Sequence, residues 1–247
     1  MGYVFDFQDA QAYRRWLEKP RNRHAMALQT GLMAQMLAPK RLESILCVGC
    51  GTGESLRPLV DMGADVTGID PSPYMLDIAA EQFGPKLDLH RGVAEDLPFE
   101  DNAFNQAVLF YSLEFVEDPA KALSEACRVA RDCVFIGVMN RYAVRNLRFR
   151  LQRWIVPSVF DHARFFSIWE LQQMLYALLG EVPISWRTIS QLPLHSRYVC
   201  WIENLRIVQH FPFGAFIGLV VTLVPRYRTR PLKLQCPAQS PPGVVSG

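Results

Sequence analysis

Ile45-Leu46-Cys47-Val48-Gly49-Cys50-Gly51-Thr52-Gly53, followed by Val66-Thr67-Gly68-Ile69-Asp70, is the stretch on which the fold turns. An apolar run of strand character enters a turn with glycine at every second position, a helix follows, and a second apolar strand ends on a carboxylate. Glycine admits positive φ and leaves no Cβ between backbone and ligand, and the N–H groups that open the next helix face whatever polar group sits there. Asp70, at the end of the second strand, is placed to accept hydrogen bonds from both hydroxyls of a ribose. The layout is that of a nucleotide-binding α/β protein.

Two common versions of that layout do not fit. A G-x-G-x-x-G dinucleotide fingerprint counted from Gly49 needs glycine at position 54, where Glu54 stands and would repel a pyrophosphate. This weighs against a nicotinamide oxidoreductase. No G-K-[ST] follows the turn, which excludes a phosphate-gripping P-loop. The expected ligand carries an adenosine-like ribose and no phosphates at the turn.

Outward from this stretch, apolar and amphipathic segments alternate. Residues 8–18 and 25–37 read as helices forming an N-terminal cap, the second carrying Met26, Leu28, Leu32, Met33, Met36 and Leu37. Strand 44–48 leads to helix 54–62, and strand 65–69 to helix 73–83, with Ser72 as its cap and Pro73 at the first helical position. Strands near 87–91, 106–111 and 133–139 follow, with a helix at 119–130. The alternation predicts a parallel, doubly wound sheet whose ligand lies at the carboxyl ends of the strands. Gly49–Gly53, Asp70, Ala94 and Tyr111–Glu114 all fall at those ends. Further on, Ser167-Ile168-Trp169-Glu170 matches a capping box opening a helix that runs to Leu179, and strands near 182–190 and 214–224 complete the sheet. Residues 191–212 read as an insertion or extra hairpin.

Composition sets bounds on the rest. The 247 residues are 50% apolar with a net charge of +2, which fits one α/β domain with additions and gives no reason to expect nucleic acid. Cys47, Cys50, Cys127, Cys133, Cys200 and Cys236 supply no pair of C-x-x-C motifs, so neither a zinc site nor a disulfide framework is expected. Free thiols in a cytoplasmic protein, with no metal, are the plain reading. Asp6 and Asp9 among aromatics do not make a signal peptide. The apolar run from Phe211 to Val224 is too short for a transmembrane helix and reads as a buried strand, or in part as an interface between copies of the chain. Residues 237–247, rich in Pro, Ser and Gly, read as a flexible tail.

An arginine-rich helix is expected over residues 142–156, with Val144, Leu147, Leu151, Trp154 and Ile155 on one face. Arg141, Arg145, Arg148, Arg150 and Arg153 lie mostly off that face. They form either a solvated surface or a lid whose positive field favours an anionic substrate or a membrane surface, extended by Arg164, Arg226, Arg228, Arg230 and Lys233.

The segment Val48 to Gly53 resembles the first motif of class I S-adenosylmethionine-dependent methyltransferases. The likeness continues in Gly92-Val93-Ala94-Glu95-Asp96-Leu97-Pro98-Phe99 and Asp101-Asn102-Ala103-Phe104-Asn105, which resemble the G-D-A-E-x-L-P-F…D-x-x-F-D stretch of the ubiquinone/menaquinone-biosynthesis-like branch. Tyr13-Arg14-Arg15-Trp16 resembles a Y-D-x-W segment that precedes the core in one subgroup. Three motifs in order cover about residues 10–140.

The resemblance implies a Rossmann-like, mostly parallel sheet with an antiparallel last strand. It implies one methyltransferase domain over residues 1–236, with a helical cap at 1–40, a cofactor-binding core at 41–140, lid helices at 141–180 and closing strands at 181–225. The cofactor would be S-adenosylmethionine, held by Gly49, Cys50, Gly51, Gly53, Asp70, Pro71, Val93, Ala94, Glu95 and Tyr111, with Tyr13 and Trp16 either closing over its methionine end or packing as plain core aromatics. The methyl group would pass to oxygen, nitrogen or carbon of a small molecule. His162, His24 and Glu114 are the candidate bases, Glu114 either bonding the acceptor or facing solvent. The family usually has acids where Cys47, Val93 and Asn105 stand, which motivates a competing reading: a degenerate module that binds the cofactor or a protein partner without turnover.

Overall fold

The structure, a computed structural model, describes residues 2–84, 87–143, 162–189 and 211–223. Strands β1 (Ser44–Val48), β2 (Asp65–Asp70), β3 (Asp88–Arg91), β4 (Phe104–Phe110), β5 (Ala130–Met139), β6 (Ile184–Ile189) and β7 (Phe216–Thr222) form one seven-stranded sheet. Their order is β3-β2-β1-β4-β5-β7-β6. The first five pair in parallel, and β7 runs antiparallel to both β5 and β6. The expected doubly wound sheet with an antiparallel last strand is what forms.

Both faces of the sheet are covered, which explains the uninterrupted apolar runs. In β1, Leu46 and Val48 join the layer of helices α5 (Pro119–Val129) and α6 (Ile168–Leu179), while Ile45 and Cys47 join the opposite layer with Met26, Met33 and Leu37. All four strand residues are fully buried. The opposite layer contains α2 (Pro20–Leu37) and the short α3 (Arg57–Asp61). Helices α1 (Phe7–Glu18) and α4 (Pro73–Phe83) pack beside it.

The helix boundaries show which local signals win. A reciprocal capping box between Asp6 and Asp9 opens α1. The second cap helix starts at Pro20, five residues before the apolar pattern suggests, because proline at the first helical position is preset for the helix and loses no hydrogen bond there. By contrast α3 starts three residues later than expected: the Gly53 and Leu56 N–H groups donate to the Cys50 and Gly53 carbonyls in successive tight turns. At α6 the capping box is half formed. The Ser167 hydroxyl accepts the Glu170 N–H, but the Glu170 carboxylate turns to Arg141 and Arg164. No helix among the described residues is long and apolar enough to cross a membrane. Most of the arginine-rich helix, Arg226 to Lys233, residues 191–210 of the expected insertion and the tail at 237–247 lie outside the described residues.

At the amino ends of the strands, Asn105 ties three of them together. Its Oδ1 accepts from the Ser44 N–H (3.0 Å) and the Ser44 hydroxyl (2.9 Å), and its Nδ2 donates to Asp132 Oδ2 (3.2 Å). An aspartate could keep the first two bonds but would set a second carboxylate against Asp132. Asn105→Asp is expected to destabilise the protein by roughly 1–2 kcal/mol near neutral pH, the scale of a lost hydrogen bond plus like-charge repulsion. Urea unfolding measures it, and the deficit should shrink in acid as the carboxylates protonate.

Candidate active site

A cavity opens at the carboxyl ends of the parallel strands, with the glycine turn at its centre. Gly49 (φ +69°) and Gly51 (φ +55°) both sit in left-handed conformations. A Cβ at Gly49 would lie 2.3 Å from Ser112 Cβ, so the turns after β1 and β4 can approach only because residue 49 has no side chain. The Gly49 and Cys50 N–H groups both donate to the Ile69 carbonyl (2.8 and 3.0 Å), fastening the turn to β2.

Asp70 closes that connection. Its Oδ2 accepts the Gly51 N–H (2.8 Å) and its Oδ1 accepts the Ser72 N–H (2.9 Å). The side chain lines the cavity although the residue is only 8% exposed. Burial lifts its carboxyl to about 6, against the pull of the two backbone donors. The Ser72 hydroxyl caps α4 by accepting the Met75 N–H and donates to the Phe5 carbonyl (2.6 Å). The Tyr3 N–H donates to the Phe115 carbonyl (2.8 Å). Residues 2–5 thus strap the cavity between the loops that follow β2 and β4. The Tyr3 hydroxyl donates to Asp9 Oδ2 at 2.6 Å, which pushes its pKa up to about 12.

Every residue expected to hold the cofactor lines this cavity except Gly53. Gly53 (φ +90°) serves the turn from behind: a Cβ there would lie 2.7 Å from the Phe83 ring. Val93 and Ala94 line the side beside Pro71, and Glu95 Oε1 accepts the N–H groups of Glu117 (2.9 Å) and Asp118 (3.4 Å). Tyr13 and Trp16 stack with centroids 5.8 Å apart at 15°. Burial first, then the charge of Glu54, keeps the Tyr13 hydroxyl protonated. Tyr111 holds a positive φ of 56° and packs edge-on against Phe216. Burial pushes the Cys47 thiol up to about 12 and the Cys50 thiol well above its ordinary value, so neither is a nucleophile at neutral pH.

The three candidate bases are not brought together, and none lines the cavity. His24 is exposed on α2, while its neighbours Ala25 and Met26 turn inward. His162 is exposed too and stacks on Tyr3, with centroids 4.2 Å apart at 12°. Glu114 faces neither acceptor nor solvent. It is 2% exposed, its Oε1 accepts the Met139 N–H (2.7 Å), and its Oε2 has no hydrogen-bond partner. Burial lifts this carboxyl to about 8. The apolar sequence around Glu114 conceals that displacement, since strand ends read as exposed until the neighbouring strand is placed.

Sequence reasoning missed Tyr3, Phe5 and Gln29 among the lining residues, and placed Thr52 and Ser112 at the strand ends without singling them out. Tyr3 and Phe5 reach the cavity only through the strap, which no motif announces. Thr52 and Ser112 carry buried hydroxyl oxygens without hydrogen-bond partners, both at the cavity. Gln29 could have been found, because it interrupts the apolar stripe of Met26, Met33 and Leu37 at helical spacing.

With the geometry in hand, similarity to known proteins is informative. Residues 46–135 match the methyltransferase domain family. The chain is 33% identical over 188 residues to a ubiquinone biosynthesis O-methyltransferase of Azorhizobium caulinodans, covering 66% of this chain and 74% of that protein. It is 36% identical over 103 residues to an uncharacterized methyltransferase of Mycobacterium tuberculosis, covering 42% of each, so the match spans about two fifths of that relative. Among solved structures, a Thermotoga maritima S-adenosylmethionine-dependent methyltransferase, described as a possible histamine N-methyltransferase, superposes with a TM-score of 0.67 at 25% identity. That superposition covers 87% of this chain and 96% of the other.

Glu114 makes the pH dependence of stability testable. A carboxyl whose folded pKa is raised binds its proton more tightly in the native state, so its penalty is absent below the unfolded value near 4.5 and grows as pH rises through about 8. Glu114→Gln keeps an acceptor for the Met139 N–H and removes the charge. Its melting temperature is expected to exceed the parent's by several degrees at about pH 9, with the gap closing by about pH 5. Thermal unfolding across that range measures it.

Proposed function

We propose, from the premise that this chain belongs to the class I S-adenosylmethionine-dependent methyltransferases, that it transfers the methyl group of S-adenosylmethionine to a small-molecule acceptor. The observation that carries the reading is Asp70: a buried carboxylate on the cavity wall, fixed by the Gly51 and Ser72 N–H groups. Two backbone donors occupy about half of what a carboxylate can accept, which leaves capacity for the two hydroxyls of a ribose.

The remaining residues suit the rest of the molecule. Val93 and Ala94 offer an apolar wall and backbone groups to an adenine. The partnerless hydroxyls of Thr52 and Ser112, beside the glycine turn, suit the polar amino-acid end. Tyr13 and Trp16, from the cap, would cover that end and keep water out. When bound, the cofactor supplies a sulfonium whose methyl carbon is already electrophilic. The protein's part is then alignment of the acceptor and exclusion of water. Proton transfer by His24, His162 or Glu114 is no part of this reading, because none of them lines the cavity. The thiols of Cys47, Cys50 and Cys133, outside any disulfide, support a cytoplasmic setting.

Calorimetric titration with S-adenosylhomocysteine tests the reading. Binding is expected, and no heat or thermal shift at millimolar ligand would overturn it. Asp70→Ala removes two charge-assisted hydrogen bonds of roughly 1.5–3 kcal/mol each before compensation, so affinity should fall at least about tenfold. The parent's affinity should also decline as pH falls through about 6, where Asp70 takes up a proton, whereas the alanine variant should show no such step.

A further inference from the structure

The loop that follows β4 carries cavity walls on both sides of a residue that is not one of them. Ser112, Phe115 and Val116 line the cavity, while Glu114 between them stands behind the wall, 2% exposed. Three further segments converge on this short loop. The Glu114 Oε1 accepts the Met139 N–H at the end of β5 (2.7 Å), and the Glu114 carbonyl accepts the Arg164 N–H (2.9 Å), one residue before Phe165. The Phe115 N–H donates to the Ser112 carbonyl (3.1 Å), and the Phe115 carbonyl receives the Tyr3 N–H of the strap (2.8 Å). Met139, Phe165 and Tyr3 all line the cavity, and Ser112 packs against Gly49 of the glycine turn. Glu114 is therefore the joint where the strap, the glycine turn, β5 and the 162–166 segment meet.

Packing alone gives no reason for an acid at this joint. Its Oε2 is buried without a hydrogen-bond partner, which is costly for a carboxylate. The charged groups on the segments around it are engaged or turned outward: Arg141 and Arg164 both pair with Glu170, and His162 and Glu117 are exposed. Burial thus favours the neutral acid up to about pH 8, against the pull of the Met139 N–H and its own N–H. Above that pH the carboxylate is a charge in a dry joint. Water must enter between the loop and β5 to solvate it, and the walls that both segments carry then shift.

We propose that Glu114 is a positioning residue for the ligand cavity, which sets the walls beyond β5 against the loop after β4, and against the strap held by that loop, through the Met139 and Arg164 N–H groups. It touches neither cofactor nor acceptor. The inference rests on the methyltransferase reading only for the choice of probe, S-adenosylhomocysteine.

The probe is titrated calorimetrically into the full chain, Glu114→Gln and Glu114→Leu from about pH 7 to pH 9.5, in buffers of different ionisation enthalpy, with circular dichroism reporting the fold. The parent's affinity should fall up to about tenfold between pH 7 and pH 9, since each pH unit above about 8 depletes the neutral joint about tenfold. Near pH 8, binding should accordingly take up part of a proton. Glu114→Gln still accepts the Met139 N–H, so it should restore the parent's pH 7 affinity and show neither the fall nor the uptake. Titration of the ligand's own amine is common to both proteins and cancels in the comparison. Glu114→Leu, folded but without the bond, should bind several-fold more weakly throughout. If that variant does not fold, the comparison with Glu114→Gln decides alone. Coincident profiles for the parent and Glu114→Gln, or a folded Glu114→Leu that binds as the parent does, would each overturn the inference and leave the methyltransferase reading standing. Failure of the parent to bind at any pH would instead overturn that reading, and this role with it.

Discussion

The buried carboxylate of Asp70 is the interaction on which the rest of the site hangs. A charge placed there is costly, and the rise of its pKa to about 6 records that cost. Two backbone N–H donors offset it, one from the glycine turn after β1 and one from the start of α4. Each partner then fixes something else. Gly51 is held in the conformation that faces the cavity, and Ser72 caps α4 while gripping the strap through the Phe5 carbonyl. One side chain thus sets the turn, the adjacent helix and the cover over the site.

A second constraint is steric. Because β1 pairs with both β2 and β4, the strand order reverses on either side of it, and the crevice of a doubly wound sheet opens at such a point. The loops after β1 and β4 meet there, and the contact between Gly49 and Ser112 leaves no room for a Cβ. Ser112 and Thr52 line the cavity there with buried hydroxyls that have no hydrogen-bond partner among the described residues. The turn divides the cavity into a side with a carboxylate and backbone polar groups and a side walled by aromatic rings, methionines and one amide.

The core was legible in the sequence because its signals are local. The bounds of β1 were read to the residue, and α4 with its Ser72 cap followed from serine and proline placed at the helix start. The carboxylate at the end of β2 could be placed for the same reason: a parallel strand with apolar residues on both faces has an unambiguous end. What could not be read depends on partners far along the chain. The strap needs Phe115 and Ser72, the burial of Glu114 needs Met139, and the half-formed capping box at α6 needs Arg141 and Arg164. The histidines misled for a related reason. Their chemistry is visible in a sequence, but the face of α2 that turns inward is settled by packing on β5 and β7, which leaves His24 outside and Gln29 inside.

The three neutral positions that suggested a degenerate protein have separate physical explanations. Asn105 lies at the far end of the sheet, where an amide can do what a carboxylate cannot: donate to Asp132 while accepting from Ser44. Val93 is the one of the three that lines the cavity, and there it exchanges a polar contact for an apolar wall. Cys47 is fully buried, its Sγ 3.4 Å from the Ser55 hydroxyl, within the electrostatic reach of Asp70. An ionised acid at position 47 would add a like charge to a carboxyl that burial has already raised to about 6, and would drive it higher still. The neutral thiol spares Asp70 that repulsion and leaves it ionised at neutral pH, the state in which its two oxygens best accept the Gly51 and Ser72 N–H groups.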